Sequence, residues 1–333
     1  MAQELEGRAG HTRCGGSDGD SRMAGGMNPR EYSMRRPAGP AVGDVIAAAA
    51  TLDADGRGRF LAPPVLQSWP GIVHGGGLVA LLDSAAAALG PDARPRLIEG
   101  RLTSSVPLDT PLALEGHVDG GVATVTILDG TQPLTSATIH HEPVDDPAPD
   151  PGWRTSGREG WPMPLSDQCL ACGAHNPLGL RLGLRFDTDG VWARFLPRQP
   201  WRRPGDRLAP ALAAVVLDEI AWWLGALVTK EGGLTNRIAL TLLRPEAIAP
   251  GPVTAVGRFA DVTPVDRRRT FWRTRSALLA ADGTLLATAA IVFRSGADYS
   301  ERQMAFFRSR TDPDIFERMF PNHGREGRDG GSR

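Results

Sequence analysis

Two stretches of the chain, 135 positions apart, share the pattern of an apolar helix that carries an acidic residue. They are Val73–Asp83 and Leu208–Asp218. In both, leucine, valine and alanine recur at steps of three and four, which is typical of a helix with one broad buried face. The first copy opens on His74-Gly75-Gly76, where the second has Ala209-Pro210-Ala211. The chain therefore reads as a duplicated fold whose two copies have become unequal.

The elements around each helix recur in the same order. An opening strand, a strand closed by proline and a hairpin turning at Asp-Gly are predicted in each copy. Helix followed by antiparallel strands, twice, predicts an α+β fold. The opening strands end at Phe60-Leu61 and Phe195-Leu196, the strands before proline are Arg101–Val106 and Ala239–Leu243, and the hairpin strands are Val122–Ile127, turning at Asp129-Gly130, and Phe271–Leu279, turning at Asp282-Gly283.

Composition divides the chain into five segments. The beginning is rich in Gly and Arg without periodicity, which predicts disorder. A proline- and aspartate-dense stretch near residue 150 is typical of a linker. Met and Phe near the C-terminus have helical spacing. We expect a disordered tail at 1–43, a first domain at 44–142, a linker at 143–160, a second domain at 161–297, and a C-terminal helix with a frayed tail at 298–333.

Charge and cysteine content narrow the class of protein. The 37 basic and 38 acidic side chains nearly cancel, so the net charge favours neither a nucleic acid nor a membrane as partner. Three cysteines cannot build a disulfide framework, and the N-terminus lacks the apolar core of a secretion signal, so we expect a cytoplasmic protein. The most apolar run, Leu212–Val228, contains two acids and is short for a membrane span.

Two motifs resemble one family. His-Gly-Gly at 74–76, leading into a helix with an acid nine residues on, resembles the hot-dog-fold thioesterases of the PaaI type. The run Cys169–Leu180 is similar to the Cys-x-x-Cys-Gly-x-x-Asn-Pro-x-Gly-Leu segment of many relatives. The resemblance implies a double hot-dog, in which two fused copies reproduce the dimer of single-copy relatives. It implies hydrolysis of an acyl-CoA thioester without a further cofactor, and leaves open whether two such chains form a homodimer.

In this family a backbone N–H at the helix N-terminus holds the oxyanion, where free amides and the helix dipole favour negative charge. We therefore predict Gly75 as the donor, with Gly76 beside it and His74 shaping the turn. Asp83 lies eight residues further along the same helix, about 12 Å away at the usual rise, which is too far to act on the same carbonyl. The acid that pairs with Gly75 is expected to be Asp218 of the other copy.

The cross-pairing predicts one working site. Asp83 would face Pro210, which has no N–H to donate. Asp218 is the predicted general base or nucleophile, and Glu219 is the substitute acid. The resemblance gives Thr235 the role of a hydroxyl that orients the attacking water.

Three further groups are candidates for smaller roles. Trp222-Trp223 follow the acids within one turn and would line the acyl pocket. The run Arg267, Arg268 and Arg269 is the one dense basic cluster and a candidate for contact with the CoA phosphates. Cys169, Cys172 and His175 supply only part of a zinc spacing, so no metal is predicted.

Two other functions compete with hydrolysis. The degraded motif of the second copy is compatible with an inactive hot-dog protein that binds acyl-CoA or a related ligand. Acyl-thioester hydratases and dehydratases also use this fold and carry Asp-x-Asn-Pro-x-His. Here His175 precedes Asn176-Pro177 and Leu178-Gly179 follows, so the acid–base pair of that motif is not formed. Hydration or dehydration is therefore the third candidate function.

Overall fold

The computed structural model describes residues 39–90, 96–140, 142, 150–153, 159–245 and 247–323. Most of the predicted tail at 1–43 and of the linker at 143–160 lies outside these residues, as does the chain beyond 323. The described residues cluster as one compact unit.

The predicted helices and strands occur in the predicted order among the described residues, with further helices and strands around and between them. The helices are α1 (Val42–Ala49), α2 (Gly75–Ala86), α3 (Ala211–Thr229), α4 (Ala297–Arg308) and α5 (Pro313–Met319). The strands are β1 (Ala50–Leu52), β2 (Arg57–Phe60), β3 (Arg96–Leu102), β4 (Leu112–Asp119), β5 (Val122–Asp129), β6 (Gln132–His140), β7 (Trp161–Pro162), β8 (Arg185–Phe186), β9 (Gly190–Phe195), β10 (Arg202–Arg203), β11 (Arg207–Leu208), β12 (Gly233–Leu242), β13 (Val253–Arg258), β14 (Thr263–Pro264), β15 (Phe271–Leu279) and β16 (Leu285–Ser295). Short 3-10 helices lie at Pro64–Leu66, Pro151–Trp153, Gln199–Trp201 and Phe259–Asp261.

One antiparallel sheet joins the two copies. Its main path runs β1-β2-β4-β5-β6-β3-β12-β16-β15-β13-β9-β8-β7. The order within the first copy, read outward from β3, matches that of the second copy read outward from β12. These two strands pair antiparallel at the centre, with Arg101 opposite Arg237 and Arg96 opposite Leu242. The duplication seen in the sequence is therefore a duplication of the sheet, fused at one seam.

The two central helices touch where α2 begins. A Cβ at Gly76 would lie 2.2 Å from the carbonyl oxygen of Ala214, so only glycine allows the backbones to come this close. This contact sets the first turn of α2 against the first turns of α3. It also brings the His-Gly-Gly motif of one copy beside the acids of the other.

The helix α3 is the most apolar element. It is long and apolar enough to span a membrane by length and composition, but 83% of its apolar window is buried inside the protein. Its side chains face the sheet and α2, as the core helix of a hot-dog would.

The hairpins are confirmed, and two strand predictions are wrong in extent. The hairpin glycines Gly130 and Gly283 have φ of 58° and 87°, which favours glycine in such turns. The strand predicted at Arg101–Val106 is β3, which ends at Leu102 because the next two N–H groups both donate to the carbonyl of Leu134. The strand predicted at Ala239–Leu243 begins at Gly233.

Helices before the first copy's strands and after the second copy's strands add to the core. The helix α1 was not predicted, because its residues fall at the boundary assigned to the tail. The predicted C-terminal helix is two helices, α4 and α5. Asp312 separates them, since its carboxylate accepts hydrogen bonds from the N–H groups of Asp314 and Ile315 and so begins α5.

Candidate active site

Asp218 lies buried in the middle of α3, beside the first turn of α2. Its Oδ2 accepts a hydrogen bond from the Gly76 N–H at 2.7 Å, and its Oδ1 accepts one from the Thr235 hydroxyl at 2.7 Å. Burial raises the pKa of Asp218 above its ordinary value, although His74, Thr235 and Gly76 act in the opposite direction. The carboxylate is thus fixed in position and shifted toward the pKa range of a general base.

Gly75 is the first residue of α2 and lines the cavity above Asp218. A Cβ at this position would lie 2.8 Å from Asp218 Oδ2, so backbone and carboxylate are side by side. The N–H of a first helical residue has no partner within its own helix, and that of Gly75 has no acceptor among the described residues. By contrast, the Gly76 N–H is occupied by Asp218 and therefore holds the acid.

His74 caps α2 and contacts both acids. Its Nδ1 accepts a hydrogen bond from the Gly77 N–H at 3.4 Å and lies 3.5 Å from Asp218 Oδ2, while Nε2 lies 3.4 Å from Glu219 Oε2. Burial lowers the pKa of His74, but Cys169, Glu219 and Asp218 together raise it well above its ordinary value. With Nδ1 accepting from Gly77, the ring proton lies on Nε2, so the imidazole donates to Glu219.

Glu219 is held by side chains on three sides. The indole N–H of Trp223 donates to Oε1 at 3.3 Å, the imidazole of His74 faces Oε2, and the Cys169 Sγ lies 4.0 Å from Oε2. The predicted acid pair therefore separates into Asp218, bound to the N-terminal turn of α2, and Glu219, bound to the cavity wall.

The cavity above these groups holds about 150 Å³, and six Trp, Tyr and Phe side chains line it together with aliphatic and polar ones. Trp222 and Trp223 line it, as the sequence predicted. Other wall residues were missed, because their positions in the sequence give no sign of where they dock. They include Trp69, Asn236, Arg294, Tyr299, Phe306, Phe307 and the segment 103–106 after β3.

Two aromatic side chains of the helix α4, Phe306 and Phe307, cover the cavity. The Trp69 ring lies 5.3 Å from the rings of both Phe306 and Phe307, between centroids. The Gln303 side chain fixes the helix to β12, accepting from the Gly233 N–H at 2.7 Å and donating to its carbonyl at 3.0 Å. A segment outside the two repeats thus closes the site.

The cysteine motif forms a loop that crosses onto the first copy. Asn176 is fully buried at its centre, where its Oδ1 accepts from the N–H groups of Leu178 and Gly179 and its Nδ2 donates to the carbonyl of Val65 at 2.9 Å. The loop delivers Cys169 to the cavity wall. His175, by contrast, is exposed and pairs with Asp167 at 3.5 Å.

One group of side chains has the spacing of a metal site. Ligand atoms of His74, Cys169 and Glu219 lie within 4.8 Å of one another. A metal would need the lone pair of His74 Nε2. That nitrogen carries a proton in the imidazolium, and also in the neutral ring whose Nδ1 accepts from Gly77. The arrangement therefore fits a hydrogen-bonded cluster better than a metal centre.

Solved structures resemble the chain in fold at low sequence identity. A candidate thioesterase II from Thermobifida fusca matches with a TM-score of 0.54 at 17% identity, over 76% of this chain and 99% of the other. The tesB protein of Mycobacterium avium subsp. paratuberculosis matches with 0.52 at 14%, over 77% and 100%. A hot-dog-fold protein of unknown function from Alicyclobacillus acidocaldarius matches with 0.50 at 17%, over 76% and 98%. The chain is a double hot-dog.

No family model and no curated protein matches the chain. At these identities the structural likeness establishes the fold, which confirms the predicted architecture. The likeness does not establish an activity, which depends on the chemistry of the site.

The counterpart of the Gly75–Asp218 site, which we call the second pseudo-site, pairs Asp83 with Pro210. In this second pseudo-site the acid is held in an ion pair. Arg96 donates to Asp83 from Nε to Oδ1 at 2.8 Å and from Nη2 to Oδ2 at 2.6 Å. Arg96 is 4% exposed, so the pair lies inside the protein. At the equivalent of Gly75, Pro210 precedes α3 and has no N–H. Asp83 is thus engaged as a structural partner.

The arginine run lies outside the cavity. Arg267, Arg268 and Arg269 are exposed on the turn before β15 and do not line the cavity. The next residue, Thr270, accepts a hydrogen bond from the Ser295 N–H at 2.9 Å. This contact places the end of the run beside Arg294, which does line the cavity and was not predicted.

Proposed function

We propose that the chain hydrolyses acyl-CoA thioesters at a single site between its two copies. The observation that carries the proposal is the meeting of Asp218 from one copy with the free N–H of Gly75 from the other, at the floor of one cavity. A positioned carboxylate and an oxyanion donor are the two groups that acyl transfer to water needs. The PaaI-type motif supports the same reaction.

The geometry suggests an order of events. The Gly75 N–H and the α2 dipole would hold the thioester carbonyl oxygen, and Asp218 would remove a proton from the attacking water. Thr235 donates its hydroxyl hydrogen to Asp218, which leaves its oxygen free to accept from that water. Collapse of the tetrahedral adduct breaks the C–S bond. The proton held by Asp218 then passes to the departing CoA sulfur.

The cavity restricts the acyl group, and its rim offers positive charge. A volume of about 150 Å³ is enough for a benzene-sized group, so we propose a short or aromatic acyl chain against the Trp and Phe walls. Arg294 at the cavity, with the run at 267–269 beside it, would contact CoA phosphates.

A panel of acyl-CoA substrates tests the proposal through release of free thiol. We expect turnover of short and aromatic acyl-CoA, with kcat/KM falling for long chains that exceed the cavity. Binding of CoA esters without thiol release would instead support an inactive binder. Addition of water to crotonyl-CoA without thiol release would support the hydratase.

Substitution of Thr235 by valine is expected to move the acid side of the pH profile to higher pH. The Thr235 hydrogen bond lowers the pKa of Asp218, so its loss raises that pKa further. A general base works when deprotonated, so activity would disappear at a higher pH as the solution is acidified. The measurement is kcat/KM against pH.

Thr241→Val is the matched control. Thr241 lies on the same strand and makes no side-chain hydrogen bond among the described residues. The Thr241→Val variant should leave the acid side of the pH profile, the acid limb, where it is in wild type. An acid limb that does not move in Thr235→Val would contradict the role of Asp218 as base.

A further inference from the structure

We propose that Cys169 and Cys172 form a redox-active dithiol in the cavity wall, which exchanges with small-molecule disulfides. The proposal goes beyond thioester hydrolysis and does not depend on it. Both cysteines are free, and they line the same cavity as Asp218.

The loop brings the two sulfurs together. The Gly173 N–H donates to the Cys169 carbonyl at 2.9 Å, which closes a single turn around the Cys-x-x-Cys sequence. Residues three apart on such a turn satisfy the Cα separation of about 4.4–6.8 Å that a disulfide requires. The side chains are 4% and 6% exposed, so a reagent reaches them through the cavity.

The two sulfurs differ in environment. The Ala171 N–H donates to the Cys169 Sγ at 3.3 Å, and the same sulfur lies 4.0 Å from Glu219 Oε2 and within 4.8 Å of a ring nitrogen of His74. Donation from Cys172 is the main cause that lowers the pKa of Cys169 to about 6, while the pKa of Cys172 is raised. A thiolate beside a protonated thiol is the arrangement of an attacking and a resolving cysteine.

The exchange balances without a metal or a further cofactor. The Cys169 thiolate attacks one sulfur of a disulfide RSSR, its S–S bond breaks and RS⁻ leaves. Cys172 loses its proton to that thiolate and attacks the mixed disulfide at Cys169, which forms the Cys169–Cys172 bond and releases the second RS⁻. The dithiol is oxidised, and RSSR is reduced to two thiols once the second thiolate takes a proton from solvent.

Intact mass after treatment with 2-hydroxyethyl disulfide tests the dithiol. Cys14→Ser in the full chain leaves only the pair as thiols, and this protein should lose two hydrogens, keep no adduct and return to its starting mass with dithiothreitol. In the Cys14→Ser protein, a second change Cys172→Ser should trap one hydroxyethylthio group on Cys169. In a separate double variant, Cys14→Ser with Cys169→Ser, the reaction should be at least tenfold slower at pH 7.

Each other outcome would overturn the proposal. These outcomes are a stable adduct on the protein that keeps both thiols, no reaction in native protein, and equal rates for the two single-cysteine proteins. Zinc that copurifies and blocks the reaction until it is chelated would show a metal site in place of the dithiol. Mass is read without any thioester, so a failed hydrolysis assay and a failed dithiol are distinguished.

Discussion

Replacing Asp218 with asparagine is expected to lower kcat/KM for acyl-CoA hydrolysis by about 10²–10⁴-fold, the usual contribution of a positioned general base. An amide cannot take the proton of the attacking water. The fold should survive, because the amide oxygen can accept from the Gly76 N–H and the amide nitrogen can donate to the Thr235 hydroxyl oxygen. The measurement is thiol release by purified variant and wild type, with circular dichroism to verify folding.

Asp83→Asn is the matched control in the other copy. Its carboxylate is engaged by Arg96, so we expect kcat/KM within a few-fold of wild type. The variant weakens a buried charge-assisted pair and should lose about 1–3 kcal/mol of unfolding free energy in urea. Equal loss of activity in Asp83→Asn and Asp218→Asn would contradict a single site and favour two equivalent ones.

The elements that sequence could predict are those whose signals are local. Helical spacing in α2 and α3 and the Asp-Gly turns each depend on a few neighbouring residues, so they were correctly placed. The partnership of Gly75 with Asp218 followed from the family resemblance, which assigns the donor, and from the duplication, because Asp83 lies too far along its own helix. The structure places Gly75 and Asp218 side by side; their roles remain predictions.

The features that sequence could not predict depend on contacts between distant segments. Phe306 and Phe307 have helical spacing, but nothing in that spacing shows that their helix covers the cavity against Trp69. Cys169 was recognised only as part of a motif, since the loop that carries it to His74 is set by the buried hydrogen bonds of Asn176.

The two copies contribute different groups to the one cavity around Asp218. The first supplies the N-terminus of α2 with the Gly75 N–H, the second supplies Asp218 and the hydroxyl of Thr235, and the helix α4, which follows the second copy, covers the cavity. In the reverse pairing, proline removes the donor and Arg96 neutralises Asp83. Both features lie in the Asp83–Pro210 pairing, which supports the proposal that only the Gly75–Asp218 site is active.

Replacing Gly75 with alanine is expected to lower kcat/KM about a hundredfold, the usual cost of misplacing a reacting group by about 1 Å. The added Cβ would lie 2.8 Å from Asp218 Oδ2 and 3.3 Å from Leu102 Cδ2. Asp218 is held by two hydrogen bonds of 2.7 Å, so it cannot yield without losing its alignment. The backbone N–H is retained, so the loss should appear mainly in kcat.

Gly43→Ala is the control for a glycine in a helix. Gly43 lies in α1 with nothing within 4 Å of an added Cβ. Alanine there should raise the unfolding free energy by up to about 1 kcal/mol and leave kcat/KM unchanged. Gly75→Ala should instead lose about 1–3 kcal/mol, because the methyl group overpacks a filled contact. Wild-type activity in Gly75→Ala would show that the close approach of α2 to Asp218 has no part in the reaction, and the site would have to be sought elsewhere on the cavity wall.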